Sequence, residues 1–164
     1  MRFAAGLLMF KRTDGYLKVF IVHPGGPYWE KRDKGAWSIP KGEPSKGETD
    51  DNFYTALREF FEETGFAPCA PYIYLGQVTQ KSGKIVEAWA FEKDRNVDYM
   101  CSNTLEIEYP LHSGKMIRIP EVDRGDYFTV EEAAIKLNPA QAEFLPRLQQ
   151  MLDYIDGGGT PSGT

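Results

Sequence analysis

One segment, residues 51–65, constrains the fold of this chain more than any other part of the sequence. Its acidic and apolar side chains recur at the three- and four-residue spacing of an α-helix, which predicts a helix over residues 51–64. Asp50 or Asp51 is a suitable N-cap, and Gly65 suits the left-handed position that follows many helices. The segment therefore predicts a short helix with two chemically distinct sides.

The acidic side of this helix indicates a metal site. Glu59, Glu62 and Glu63 stand at i, i+3 and i+4 and project from one face. Their mutual repulsion costs a few tenths of a kcal/mol per pair, which a hard divalent cation such as Mg²⁺ would remove by binding carboxylate oxygens. Taken alone, the three glutamates also fit a solvated acidic face. The opposite side is predicted to face the core through Phe53, Leu57, Phe60 and Phe61.

The rest of the sequence predicts strands interspersed with a few helices, which is typical of a layered fold. A short helix is expected at Val130–Lys136, and a longer one is expected to begin at Pro139 and run to about residue 154. Glycine- and proline-rich turns separate apolar runs that predict the strands. These strands are expected at residues 3–10, 16–22, 36–39, 73–80, 84–92, 105–109 and 116–119, and around residues 127–128.

The residues around the acidic helix extend the pattern. Gly42 is followed after five residues by Glu48. The helical part contains Arg58 and the three glutamates, followed by Gly65 and an apolar residue. The stretch from residue 42 to residue 66 resembles the Nudix box, in which glycine, five residues, glutamate and seven residues precede Arg-Glu-U-x-Glu-Glu-x-Gly-U, with U apolar. One departure is that nine residues separate Glu48 from Arg58, so that counting back from Arg58 puts Asp50 at the glutamate position.

The resemblance implies an α+β fold, a Nudix-type α/β/α sandwich with a mixed β-sheet flanked by helices. Residues 22–27 and 119–124 are similar to a bacterial branch of predicted NTP pyrophosphohydrolases, and this likeness spans roughly residues 3–150. We expect a single Nudix domain over residues 1–156. The glycine- and serine-rich tail, residues 157–164, has no apolar anchor and is expected to be disordered.

The resemblance also implies a Mg²⁺-dependent hydrolase, with Mn²⁺ as a possible substitute, that cuts a phosphoanhydride bond in a nucleoside diphosphate linked to another group. The expected substrates are nucleoside triphosphates, dinucleoside polyphosphates and NDP-sugars. Glu59, Glu62 and Glu63 would ligate the metal, with Glu62 and Glu63 ranked first. Glu48 and the backbone at Lys41 or Gly42 would lie nearby.

The resemblance leaves further roles to be assigned. Arg58 would orient a glutamate, and the general base is either a glutamate of the box or Glu121 in a later turn, with Glu87 a weaker choice. Side chains that could contact the substrate are Lys41, Lys81, Lys84, Arg32 and Trp29, although each is also an ordinary surface residue type. The competing hypothesis is a catalytically silent Nudix domain that binds nucleotides as a regulatory module; a plain acidic interaction domain is a third.

Composition narrows the partners further. A net charge of -5 argues against binding a nucleic acid polymer, whose backbone favours a basic surface. No apolar run approaches the length of about 20 residues that spans a bilayer, and Cys69 and Cys101 have no zinc-ribbon spacing. We therefore expect a cytoplasmic protein with reduced thiols, a lone disulfide being the alternative. The resemblance implies a small phosphorylated nucleotide as its ligand and a monomer or homodimer.

Overall fold

The computed structural model describes residues 2–46 and 51–160. The chain opens with a hairpin of β1 (Phe3–Thr13) and β2 (Tyr16–Pro24). Asp14 and Gly15 form its turn, both with positive φ, which matches the twist of the two strands. A two-residue strand, β3 (Lys41–Gly42), then pairs antiparallel with the first half of β1.

A mixed sheet forms the centre of the molecule. Helix α1 (Asn52–Thr64) leads into β4 (Ile73–Thr79) and β5 (Ile85–Glu92), and β5 pairs parallel with β1 along its length. A separate hairpin of β6 (Thr104–Glu108) and β7 (Met116–Pro120) precedes β8 (Val122–Thr129), which pairs with β2. The strand order is β4-β5-β1-β2-β8, with β3 on β1.

Helices cover both faces of this sheet, because the side chains of β1 alternate between two apolar clusters. Leu8 and Phe10 pack in one cluster with α2 (Val130–Lys136) and α3 (Phe144–Asp156). Leu7 and Met9 pack in the other cluster with α1. The predicted α+β sandwich is therefore confirmed. Of the helices described, none is long and apolar enough to cross a membrane.

Helix α1 has the predicted ends but a different rotation. The side chain of Asp51 accepts a hydrogen bond from Tyr54 N, and Gly65 has the left-handed conformation with φ of 76°. Phe60 is buried as predicted, whereas the prediction that Phe61 faces the core was wrong, since it is 56% exposed. The helix is turned so that Ala56, Phe60 and two glutamates face the sheet, and Phe61 lies beyond the edge of that arc.

Two other predictions were wrong in their boundaries. Pro139 does not begin the last helix: it lies in a turn, a 3-10 helix at Gln141–Glu143 follows, and α3 begins at Phe144. The strand expected at residues 36–39 is reduced to single bridges at Trp37 and Ser38, because that segment crosses from β2 to α2. Residues 157–160 form neither helix nor strand, and the predicted tail otherwise lies outside the described residues.

Gly6 allows the segment before the acidic helix to approach the sheet. A β-carbon at this position would overlap the carbonyl oxygen of Pro40 and lie 2.7 Å from the β-carbon of Lys41. Leu7 N also donates to Pro40 O at 3.1 Å. The glycine therefore fixes where the chain enters β3.

The Gly6→Ala variant should lower the free energy of unfolding by about 1–3 kcal/mol, because the extra carbon forces the two backbones apart. Chemical denaturation measures the change. The control is Gly15→Asn, where an added β-carbon has no atom within 4 Å and asparagine tolerates positive φ. Equal stability of the two variants would contradict the packing account.

Candidate active site

The acidic face of α1 packs against β3. A β-carbon on Gly42 would overlap the carboxyl group of Glu59, so only glycine leaves room for that side chain. On the adjacent residue, Lys41 N donates to Glu63 Oε1 at 3.3 Å. Two of the three helical glutamates thus point at the backbone of β3 instead of at open solvent, and both are buried.

A third carboxylate joins them from a distant part of the chain. Glu121 lies in the turn between β7 and β8, where its N–H donates to Asn103 O and its carbonyl accepts from Gly25 N. Oxygens of Glu59, Glu63 and Glu121 all lie within 4.8 Å of one another. We call these three residues the acidic centre.

Arg58 braces the neighbouring carboxylates. Its Nη1 lies 2.8 Å from Glu62 Oε2 and 2.9 Å from Glu59 Oε1, and its Nη2 donates to Glu43 O at 3.3 Å. The orienting role expected for Arg58 has this contact as its geometric basis. Glu62 is engaged by Arg58 at the edge of the acidic centre and is only partly buried.

The electrostatics of the acidic centre disfavour negative charge. Burial raises the pKa of the Glu63 carboxyl to about 8, with Lys41 opposing the shift and Glu121 and Glu59 adding to it. Burial also raises the pKa values of Glu59 and Glu121, and Glu62 adds to both. The pKa of Lys41 is lowered, mainly by burial and then by Lys84. Crowded carboxylates of this kind are stabilised in their ionised form by a bound cation.

The donor set of the acidic centre fits a hard divalent cation. All the side-chain donors are carboxylate oxygens, which Mg²⁺ and Mn²⁺ prefer, and no thiol or imidazole takes part among the described residues of this cluster. Glu48, predicted as a further ligand, and Asp50, its alternative, lie outside the described residues.

A pocket of about 270 Å³ opens beside the acidic centre. Lys41, Glu63 and Glu121 contribute its charged lining, and Trp29 and Trp37 contribute aromatic surface. Uncharged polar side chains also line the pocket. These are Ser38, Gln80, Asn138 and Gln141.

His23 holds the loop that carries Trp29. Its imidazole is fully buried, with Nε2 2.6 Å from Arg32 O and Nδ1 2.9 Å from Asp123 Oδ1. The loop between β2 and β3 is therefore tied to β8 through one side chain. The guanidinium of Arg32 lies 5.4 Å from the Trp29 ring, over its face.

Only some of the residues expected to bind substrate line the pocket. Lys41 and Trp29 line the pocket, and Lys84 lies behind Lys41 with its Nζ 3.6 Å from Glu43 Oε2. Lys81 is exposed in the β4–β5 turn, and neither it nor Arg32 lines the pocket. Glu87, the weaker candidate base, is instead held by Asn52, Tyr74 and Gln77 beside the start of α1.

Sequence reasoning did not indicate the amide side chains of the pocket. Gln80 ends the β4 region, while Asn138 and Gln141 flank the turn between α2 and α3. These residues meet only through tertiary structure and belong to no motif. The one available signal was the Asn138-Pro139 pair, which is typical of a turn.

Comparisons with known proteins agree with this architecture. The NUDIX domain of Shewanella oneidensis NrtR complexed with ADP ribose superposes with a TM-score of 0.63 at 15% identity, over 93% of this chain and 88% of that chain. The C. elegans Ap4A hydrolase in a binary complex gives 0.60 at 17% identity, over 93% and 98%. At these identities the likeness shows the fold.

Sequence comparison establishes the family. A putative mRNA-decapping protein of Acanthamoeba polyphaga mimivirus is 27% identical over 128 residues, which make up 78% of this chain and 33% of that protein. This chain thus spans about a third of the length of that curated relative. The model of the NUDIX domain matches residues 1–148. The chain belongs to the Nudix family.

The raised pKa of Glu63 predicts how the stability of the metal-free protein depends on pH. The carboxyl group has an ordinary value of 4.5 and a folded value of about 8, so its neutral form stabilises the fold below pH 4.5. That contribution is lost as pH rises toward and through 8. With a chelator present, the melting temperature of the wild type should therefore fall relative to Glu63→Gln between pH 5.5 and 8.5. A constant difference between the two proteins would contradict this burial of Glu63.

Proposed function

We propose that the protein is a Mg²⁺-dependent pyrophosphohydrolase that cleaves a phosphoanhydride bond in a nucleoside diphosphate linked to another group. The observation that carries the proposal is the convergence of Glu59, Glu63 and Glu121 within 4.8 Å beside a pocket. Buried, clustered carboxyl groups with raised pKa values are typical of functional sites.

Glu59 and Glu63 would hold the metal ion, with Glu62 and Glu48 as further ligands and the backbone of Lys41 alongside. When bound, Mg²⁺ supplies charge neutralisation for phosphate oxygens and lowers the pKa of a coordinated water. Mn²⁺ has similar ligand preferences and would substitute for it. The proposal is supported by the all-oxygen donor set of the acidic centre.

The protein side chains would divide the remaining work. Arg58 holds Glu59 and Glu62 through two short contacts and would keep their oxygens oriented during turnover. Glu121 approaches from outside the helix and is half-buried beside the pocket, which suits a general base acting on a water molecule. Lys41, with Lys84 behind it, would attract the phosphate groups.

The substrate class is a nucleotide with at least one phosphoanhydride bond. Support comes from relatives described as an Ap4A hydrolase, as an ADP-ribose complex and as a putative decapping protein. Trp29, which is 38% exposed, gives the pocket an aromatic surface on which a base could stack. Nucleoside triphosphates, dinucleoside polyphosphates and NDP-sugars remain the candidates. The expected cytoplasmic location and the choice between monomer and homodimer remain predictions.

A regulatory nucleotide-binding module is the second candidate, and one observation favours it. NrtR, whose NUDIX domain resembles this chain, has also been solved in complex with a 27mer DNA, and that domain with ADP ribose. The retention of Glu59, Glu62 and Glu63 in this chain favours catalysis instead. Metal-dependent turnover separates the two functions.

The proposal is tested by measuring phosphate release with Mg²⁺ from nucleoside triphosphates, dinucleoside polyphosphates, NDP-sugars, NADH and ADP-ribose. One class should turn over, and Glu63→Gln and Glu62→Gln should each lower kcat/KM by about 100-fold or more, because each removes a negative oxygen from the metal site. Glu131→Gln, an exposed position on α2, removes the same charge elsewhere and should leave the rate unchanged. If nothing turns over with Mg²⁺ or Mn²⁺, yet a nucleotide raises the melting temperature, the protein is a binding module.

The role of Glu121 is tested separately with Glu121→Gln. Loss of a general base should lower kcat by about 10²–10⁴-fold with little change in the Mg²⁺ concentration that gives half-maximal rate. A metal ligand would behave differently, since its loss raises that concentration and excess Mg²⁺ restores the rate. Rescue by Mg²⁺ would therefore reassign Glu121 from base to ligand.

A further inference from the structure

Three side-chain amides line the pocket, and we call them the amide wall: Gln80, Asn138 and Gln141. Gln141 contacts Gln80 directly, and Ala142 N donates to Asn138 O at 3.1 Å. The amide wall has no charged member; the charged lining residues are Lys41, Glu63 and Glu121. Its chemistry is therefore set by which end of each amide is left to face a ligand.

The orientation of Gln141 is fixed by a backbone group. Ile39 N lies 2.9 Å from Gln141 Oε1, and a backbone N–H can only donate, so that atom must be the amide oxygen. The nitrogen Nε2 then donates to Ser38 Oγ at 3.0 Å and to Gln80 Oε1 at 2.9 Å. Both of its hydrogens are used, and the side chain is only 1% exposed. Gln141 is thus a buried relay with no choice of orientation.

This relay determines the orientation of Gln80. Because Gln141 presents a donor, the atom of Gln80 that receives it must be the oxygen. The amide nitrogen of Gln80 is then the end left over, and no acceptor for it occurs among the described residues. Gln80 itself lines the pocket and is only partly buried.

The orientation of the Asn138 amide is fixed by a different backbone group, and it too leaves the amide nitrogen free. Its Oδ1 accepts from Ala140 N at 3.0 Å, again a group that can only donate, which leaves Nδ2 as the free end. Within the described part of the chain, the one side-chain polar atom buried without a partner is Arg95 Nε. The nitrogens of Gln80 and Asn138 are therefore accessible, whereas the oxygen of each amide already accepts a hydrogen bond. The amide wall thus presents two NH₂ groups that have no acceptor among the described residues.

We propose that the amide wall selects a nucleobase whose edge carries a carbonyl oxygen, such as a 6-oxopurine or uracil, over one that carries an amino group there. This inference rests on the proposed function in that it assumes a nucleotide in the pocket. A carbonyl oxygen accepts from the amide nitrogens, whereas an exocyclic amino group would set donor against donor and leave both unpaired. Lys41, Lys84 and the carboxylates of the acidic centre would act at the phosphates and would not distinguish the bases.

The test compares nucleotides that differ only in the base. Dissociation constants of IDP, GDP, ADP, UDP and CDP are measured by calorimetry in the presence of Mg²⁺, and kcat/KM is measured for the corresponding triphosphates. IDP should bind about tenfold or more tightly than ADP, since hypoxanthine replaces the 6-amino group of adenine by a carbonyl oxygen. Comparing GDP with IDP shows whether the 2-amino group of guanine affects binding. Comparing UDP with CDP shows whether the same selection extends to pyrimidines.

Two isosteric variants reverse the free end of each amide and keep its structural bond. Gln80→Glu retains an oxygen for Gln141 Nε2, and Asn138→Asp retains one for Ala140 N, but each now faces the pocket with an acceptor. Each should lower the ratio of ADP to IDP dissociation constants about tenfold. Because the ratio is taken within one protein, the general effect of the added charge on phosphate binding cancels. Gln150→Glu, exposed on α3, adds the same charge elsewhere and should leave the ratio unchanged.

The relay is tested by Gln141→Glu, which would present an oxygen to Gln80 and turn that amide over. It should also lower the ratio of ADP to IDP dissociation constants, without any change in a residue that contacts the base. A ratio near one in the wild type, a ratio unmoved by Gln80→Glu and Asn138→Asp, or failure of every nucleotide to bind would overturn the inference. Base selection in the dissociation constants without turnover would support the amide wall and refute the hydrolase, whereas turnover without selection would do the opposite.

Discussion

The structure depends on one close approach, that of the backbone of β3 to the carboxylates of α1. Gly42 leaves space for the Glu59 side chain, and Lys41 N donates to Glu63, so the acidic face of the helix is packed rather than solvated. Burying like charges in this way is unfavourable without a counter-ion, which is why the pKa values of these carboxyl groups are raised. The fold accepts this local cost because the same side of the helix also packs Ala56 and Phe60 on the sheet.

The sheet provides the rigid support for this arrangement. Strand β1 lies at the centre of the sheet, with apolar side chains on both faces. One part of β1 pairs with β2, and another part pairs with β3. The pocket lies next to the sheet and is lined in part by the segments around Trp37 and Glu121. The acidic centre and the amide wall both pack beside this sheet, so a change in its core would be felt at both.

The sequence predicted the elements whose signals are local. The box residues, the N-cap Asp51 and Gly65 placed α1 correctly, because capping and helical period act within one turn. The same reasoning failed for Phe61, since the rotation of a helix is decided by what it packs against. Glu121 was indicated only because the sequence around its turn is similar to that of a bacterial branch of the family. Gln80 and Gln141 could not be predicted as neighbours, because their contact is created by the tertiary fold across 61 positions of sequence.

The parallel pairing of β1 with β5 has a consequence for how the site comes into being. Strand β1 can pair with β5 only after the chain has been made as far as Ile85. The acidic centre can be complete only after Glu121 has been made. Contacts between such distant parts of the chain form slowly and late in folding. During synthesis, the N-terminal hairpin and α1 therefore emerge well before they can assemble a binding site. A partly made chain carries the whole Nudix box and still lacks the acidic centre.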